Sequence, residues 1–99
     1  MRFFQKAPLD TTDYTKLSFN ELIQVVRVDW TTINNDSAAA SILDALIELK
    51  NIEDTYISDS GCRLVSEFLA HSRKWHSYRA KLVKSELMRR LAASINDYD

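Results

Sequence analysis

The apolar residues of this chain recur mostly three or four positions apart, which is the spacing of one face of an α-helix. In the first such run the adjacent residues Val25 and Val26 break the alternation that a β-strand would need. The pattern predicts four helices, over approximately residues 18–30, 37–51, 60–74 and 77–94. We therefore predict an all-α fold, a compact bundle of about four helices preceded by an irregular N-terminal segment, residues 1–17.

Residues that commonly cap helices stand before each predicted helix. Ser18 and Glu21 have the spacing of a capping box, in which each side chain accepts a hydrogen bond from the backbone N–H of the other residue. The candidate caps of the later helices are Asp36 or Ser37, Ser58 or Asp59, and Ser77. These residues support the same four helix starts as the apolar spacing.

The last two predicted helices cannot form one straight rod. At about 100° per residue, the apolar face around Phe68 and the one around Leu87 point in directions roughly 100° apart. A straight rod would leave one of these faces in solvent. We therefore expect a break between residues 73 and 77.

Glycine and proline are scarce in this sequence. The 99 residues include one of each, Gly61 and Pro8, where an average chain would carry about seven and about five. Sandwiches and barrels need many tight turns, so this composition favours a few long helices. The length suits a single helical domain over residues 1–99. Gly61, at the start of the third helix, is expected to relieve steric crowding there.

Composition and cysteine content bear on the cellular setting. Hydrophobic residues make up 45% and charged residues 27%, as in ordinary globular proteins. Cys62 is the only cysteine, so no disulfide can form within the chain. No stretch approaches the ~20 apolar residues of a membrane span, and the first ten residues lack the apolar core of a signal peptide. We expect a cytoplasmic protein that is not attached to a membrane.

The residue types of catalytic and metal sites occur here only in isolation. His71 and His76 are five residues apart, which places them about 140° from each other around a helix and not on one face. Cys62 stands beside apolar residues, as a small buried side chain would. A single glycine excludes the loops that cradle phosphates or dinucleotides. We predict no enzymatic activity, no cofactor and no metal.

Positive charge is concentrated near the C-terminus. Residues 71–90 carry seven basic side chains and one acidic one, a local balance of +6 against −7 for the remainder. Trp75 and Tyr78 lie among the basic residues, a mixture that can bind nucleic-acid backbones and stacked bases. One hypothesis is therefore a nucleic-acid-binding accessory domain. The candidate contacts, which would equally suit an acidic protein partner, are Arg73, Lys74, Arg79, Lys81, Arg89 and Arg90.

The other hypothesis, which we place first, is a protein-interaction module. Several apolar residues do not fit the predicted core, because they lie off the main helix faces or in the N-terminal segment. These residues are Phe3, Phe4, Tyr78 and Leu82. Gathered on one surface, such residues form interfaces. They predict an adaptor, regulatory or self-associating module whose partner is another protein or a second copy of the chain.

Overall fold

A computed structural model describes residues 12–56 and 59–96. This part of the chain contains four α-helices: α1 (Phe19–Asp29), α2 (Ser37–Ile47), α3 (Gly61–Ala70) and α4 (Tyr78–Asn96). Short 3-10 helices, Tyr14–Lys16 and Ile33–Asn35, precede α1 and α2. A two-residue antiparallel ladder pairs β1 (Thr55–Tyr56) with β2 (Asp59–Ser60) immediately before α3. The predicted all-α fold, a compact bundle of about four helices, is confirmed.

The core forms where the apolar faces of the helices meet. Helix α2 packs against α1 and α3, and α4 packs against the same two helices. The large apolar side chains with essentially no exposure are Leu22, Ile23, Val26, Leu46, Val65, Phe68, Val83 and Leu87. Each of these side chains stabilises the fold by roughly 1.5–3 kcal/mol because it is fully removed from water.

Three of the predicted caps are present. The Ser18 hydroxyl accepts the Glu21 N–H at 3.1 Å, and the Glu21 carboxylate accepts the Ser18 N–H at 2.8 Å, which completes the capping box. Asp36 and Ser77 cap α2 and α4, each accepting the backbone N–H three residues ahead at 3.1 Å. These interactions lie within a few residues of each other, so the local sequence was sufficient to predict them.

The cap of α3 differs from the prediction. Ser60 caps this helix by accepting the Arg63 N–H at 3.1 Å, so the choice of Ser58 or Asp59 was wrong. The β1–β2 ladder keeps the backbone extended as far as Ser60, and the helix therefore begins only after it. Ser58 itself lies outside the described residues.

Helix α2 ends at Ile47, four residues before the predicted end. The Asp54 carboxylate accepts the backbone N–H groups of Lys50 and Asn51, at 2.9 and 3.0 Å. In a longer helix these groups would have donated to carbonyls of the preceding turn. The hydrogen bonds to the Asp54 side chain therefore replace the backbone hydrogen bonds that the last predicted turn of α2 would have formed.

The predicted break between the last two helices is confirmed. Helix α4 begins at Tyr78, but α3 already ends at Ala70, four residues before its predicted end, so the break is longer than predicted. In the connection, the Ser72 hydroxyl donates to the Leu69 carbonyl at 2.9 Å, and Lys84 donates to the Ser72 carbonyl at 2.6 Å. These bonds satisfy carbonyls that an additional helical turn would have used.

Gly61 occupies a position with no room for a side chain. A Cβ atom there would lie 2.2 Å from the carbonyl oxygen of Ile52. The Gly61 N–H also donates to the Asp54 carbonyl at 2.7 Å, which brings the two backbone segments together. The prediction that this glycine relieves crowding at the start of α3 is confirmed.

Candidate interaction surface

The direction of α4 depends on contacts between the end of α1 and the connection before α4. The Asp29 carboxylate accepts hydrogen bonds from the Trp75 indole N–H at 2.8 Å and from the Ser77 hydroxyl at 2.5 Å. The Trp75 ring stacks on Trp30 with centroids 5.8 Å apart, and Phe68 packs edge-on against both rings. Because Ser77 also caps α4, these contacts determine how the first turn of α4 lies against α1.

A shallow, largely apolar groove of about 260 Å³ lies between α1 and the start of α4. Tyr14 is almost fully buried and forms part of its lining. Val28 is 69% exposed, and Val25 beside it is half-buried. The groove is lined by Thr12, Tyr14, Glu21, Gln24, Val25, Val28 and Arg79.

A second apolar groove of about 340 Å³ lies along α4. It shares Thr12 and Tyr14 with the first groove, so the two adjoin. Leu82 lines it, and Tyr78, one helical turn earlier, is 56% exposed. We call the five residues Tyr14, Val25, Val28, Tyr78 and Leu82 the α1–α4 surface.

A charged cluster borders the second groove. The Glu86 side chain, only 4% exposed, accepts hydrogen bonds from Arg89 at 2.6 and 2.9 Å and from Arg90 at 2.6 Å. The hydrogen bonds from Arg89, with those from Arg90, hold the pKa of Glu86 below its usual range. Arg90 also donates to the carbonyls of Tyr14 and Leu17, at 3.2 and 2.6 Å. This arginine therefore joins the segment before α1 to α4.

The basic residues near the C-terminus do not share one face. Arg79 and Lys81 are two positions apart, so they lie about 200° from each other around α4. Arg73 and Lys74 are exposed in the connection before α4. Arg90 is only 15% exposed, and its guanidinium is already bonded to a carboxylate and two carbonyls. A nucleic-acid backbone lying along one side of α4 would therefore reach only part of the predicted set.

Lys84 has an internal role. Its ammonium group donates to the carbonyls of Ser72 and Trp75 and lies 5.7 Å from the centroid of the Trp75 ring. Partial burial lowers the pKa of Lys84. The contacts hold the connection before α4 against the helix itself.

The candidate catalytic and metal-binding residues lie apart. His71 and His76 are both exposed, and Cys62 is half-buried with its sulfur 3.9 Å from the Ile52 carbonyl oxygen. Over residues 12–56 and 59–96, no three His, Cys, Asp or Glu side chains are grouped to hold a metal ion. In the same part of the chain, no helix is long and apolar enough to span a bilayer. The lack of enzymatic activity stays a prediction.

Two of the four residues selected as a candidate apolar interface contribute to the α1–α4 surface. Tyr78 and Leu82 lie one turn apart on α4, next to the adjoining grooves. Phe3 and Phe4 lie outside the described residues. Of the predicted basic residues, Arg79 lines the first groove and Arg89 lines the second.

Sequence reasoning missed the contribution of α1. Val25 and Val28 were assigned to the first helix without a role in an interface, yet Val28 is the most exposed large apolar residue of those described. The signal was present, because Val28 falls outside the buried stripe of Phe19, Leu22 and Val26. The sequence did not show that α4 packs beside α1.

The chain was also compared with known proteins. No protein-family model matches it, and no significantly similar curated protein or solved structure was found. The function must therefore be argued from the residues and their geometry.

Proposed function

We propose that this chain is a protein-interaction module, with no catalytic activity of its own, that binds a short segment of another protein at the α1–α4 surface. The observation behind the proposal is the exposure of Val28 and Tyr78 beside two adjoining apolar grooves. Apolar side chains gathered in this way are typical of interfaces. We also infer a cytoplasmic setting, because the single cysteine allows no disulfide within the chain.

The amount of exposed apolar surface favours a small partner segment over a second copy. A stable dimer interface buries about 800 Å² on each partner, with an apolar centre. Among the described residues only Val28, Tyr78 and Met88 are large apolar side chains with more than half of their surface exposed. Met88 lies about 80° from Tyr78 around α4, so it does not extend the surface.

The residues around the grooves indicate the chemistry of the partner. Apolar side chains of the partner would cover Val28 in the first groove and Leu82 in the second, and Tyr14 lines both grooves. Arg79 and Arg89 line the two grooves and are ten residues apart on one helix, or about 15 Å along its axis. An amphipathic segment with apolar residues and acidic residues at its edges satisfies both requirements.

The test is selection from a displayed peptide library, followed by affinity measurements on three variants. We expect selected peptides to be amphipathic and acidic, and to lose about tenfold in affinity for Val28→Ser and for Tyr78→Ser. Met88→Ser is the matched control, because Met88 is 52% exposed, close to the 56% of Tyr78, but lies away from the surface. It should leave the affinity unchanged.

Two outcomes would overturn this proposal. One is a library that yields no peptide whose binding depends on Val28 or Tyr78. The other is a wild-type chain that sediments as a dimer and becomes a monomer in the Val28→Ser and Tyr78→Ser variants, because the occupant would then be a second copy.

A further inference from the structure

A third cavity, of about 430 Å³, lies between the N-terminus of α1 and the last turns of α4. Ser18 and Phe19 line it from α1, and Arg89, Arg90 and Ser94 line it from α4. None of the five residues of the α1–α4 surface lines it, although Arg89 lines both this cavity and the second groove. The lining of the cavity combines apolar side chains with several hydrogen-bond donors, the two arginines and one carboxylate, that of Glu53.

Ser94 is the feature of this cavity that the fold does not explain. The residue is 3% exposed, and its hydroxyl has no hydrogen-bond partner among residues 12–56 and 59–96. Leaving a buried hydroxyl unpaired costs roughly 1–3 kcal/mol. Buried polar groups are nearly always paired, so the Ser94 hydroxyl is available to form a hydrogen bond with a group bound in the cavity.

The other donors of the cavity favour an anion. Glu86 neutralises one of the two charges of Arg89 and Arg90, which leaves the cluster with a net charge of +1. The capping box uses the N–H groups of Ser18 and Glu21 but not that of Phe19, which lies in the first turn of α1. First-turn N–H groups have no partner inside the helix and attract negative charge.

Two carboxylates limit the charge of the ligand. Glu53 lines the cavity, and Glu21 closes the capping box at the same end of α1. A dianion such as phosphate would be repelled more strongly by both carboxylates than a monoanion, which a single arginine, Arg89, can neutralise. We propose that this cavity binds a carboxylate group, with Ser94 and Arg89 as donors. The proposal shares Arg89 with the residues around the second groove, and Ser94→Ala tests it separately from partner binding at the α1–α4 surface.

Acetate is the probe for this site. Backbone amide spectra of the full chain are recorded at neutral pH during titration with sodium acetate and, separately, with sodium chloride at matched ionic strength. We expect acetate alone to shift the amide of Phe19 and the side-chain N–H of Arg89. Ser94→Ala should weaken acetate binding about fivefold and Arg89→Gln about tenfold, because each removes a donor.

The controls separate the site from the rest of the surface. Ser66→Ala removes an exposed helical hydroxyl, and Arg63→Gln removes an exposed arginine that pairs with Glu67 four residues ahead. Both should leave acetate binding unchanged, as should Val28→Ser. Acetate shifts no larger than those of chloride, shifts insensitive to Ser94→Ala and Arg89→Gln, or tighter binding of phosphate would overturn the proposal.

Three acetylated compounds distinguish the possible sources of the carboxylate. A short acetylated peptide with a free C-terminus and the same peptide as its amide differ only in the terminal carboxylate. Acetyl-glutamate amide presents a side-chain carboxylate instead. If the peptide with the free C-terminus binds most tightly, the ligand is a chain terminus. If acetyl-glutamate amide binds most tightly, the ligand is an acidic side chain. If acetate binds more tightly than either, the ligand is a small free acid. Each result retains the carboxylate.

Discussion

The indole N–H of Trp75 donates to the carboxylate of Asp29 at 2.8 Å, which connects two residues 46 positions apart. The same carboxylate oxygen accepts the hydroxyl of Ser77, the cap of α4. One acidic side chain at the end of α1 therefore orients both an aromatic residue of the core and the first turn of α4. The geometry of the α1–α4 surface depends on it.

We expect Asp29→Ala to lower the free energy of unfolding by about 2 kcal/mol, because it leaves the buried indole N–H of Trp75 without an acceptor. Asp29→Asn retains an acceptor oxygen and should cost about 1 kcal/mol. Urea denaturation measures both. Asp44→Ala, an exposed carboxylate on α2, is the control and should change stability by less than about 0.5 kcal/mol. Equal losses for Asp29→Ala and Asp44→Ala would contradict the assigned role.

We expect Gly61→Ala to destabilise the chain by about 2 kcal/mol, although alanine is the better helix former. The reason is steric, since the new Cβ would lie 2.2 Å from the Ile52 carbonyl oxygen. Thermal denaturation measures the effect. Ser66→Ala, on the exposed side of the same helix, should leave the melting temperature unchanged or raise it slightly. A melting temperature for Gly61→Ala at or above that of the wild type would show that the backbone can move apart.

Glu86 should make stability depend on pH. Its pKa in the folded chain lies below the ordinary value of 4.5, so its contribution is fully present above 4.5 and is lost as the pH falls through the folded-state pKa. We expect Glu86→Gln to cost about 2 kcal/mol at neutral pH, because Arg90 loses a nearly buried partner. The difference from the wild type should shrink in strongly acidic solution. Denaturation at several pH values measures it.

Glu67 provides the matched control for Glu86. It pairs with Arg63 on α3 at 2.9 Å, but 43% of its side chain is exposed. Exposed ion pairs contribute little, so Glu67→Gln should change stability by less than about 0.5 kcal/mol at any pH. If Glu86→Gln behaved in the same way, the cluster of Glu86, Arg89 and Arg90 would be an ordinary surface feature.

The alternative function, nucleic-acid binding by residues 71–90, has a direct test. Arg79 and Lys81 lie on opposite sides of α4. We therefore expect that the chain does not bind labelled single- or double-stranded nucleic acid at physiological salt in a gel-shift assay. Binding that persists at physiological salt would instead support the alternative. In that case Arg79→Gln and Lys81→Gln should each reduce, by about one, the slope of the logarithm of the binding constant against the logarithm of the salt concentration. Arg63→Gln, on α3, serves as the control in this series.

The sequence alone was sufficient to predict the four α-helices and three of their four N-terminal caps, but not the 3-10 helices or the β1–β2 ladder. Helical spacing of apolar residues gave the four helices, and the capping box of Ser18 and Glu21 was identified before any contact was known. The angular mismatch between Phe68 and Leu87 predicted the break before α4. Each of these inferences depends only on residues within a few turns of each other, so helix geometry determines the result.

The ends of α2 and α3 were predicted less well, because the groups that end them are not visible in helical spacing. The Asp54 carboxylate accepts hydrogen bonds from the backbone N–H groups of the two residues Lys50 and Asn51, which follow α2. Lys84 takes the Ser72 carbonyl after α3, from twelve residues away. Side chains that compete with backbone bonds shorten helices that the apolar pattern would extend.

The candidate sites were decided by tertiary structure. Nothing in the sequence placed Val28 and Leu82 in adjoining grooves or bonded Arg90 to the carbonyls of Tyr14 and Leu17. The sequence also did not show that the Ser94 hydroxyl is buried without a partner in the described residues. Helix formation follows from local geometry, which the order of residues encodes directly. Which helix faces lie next to each other depends instead on how helices distant in sequence pack to bury apolar surface. The sum of many weak contacts across the core sets that arrangement.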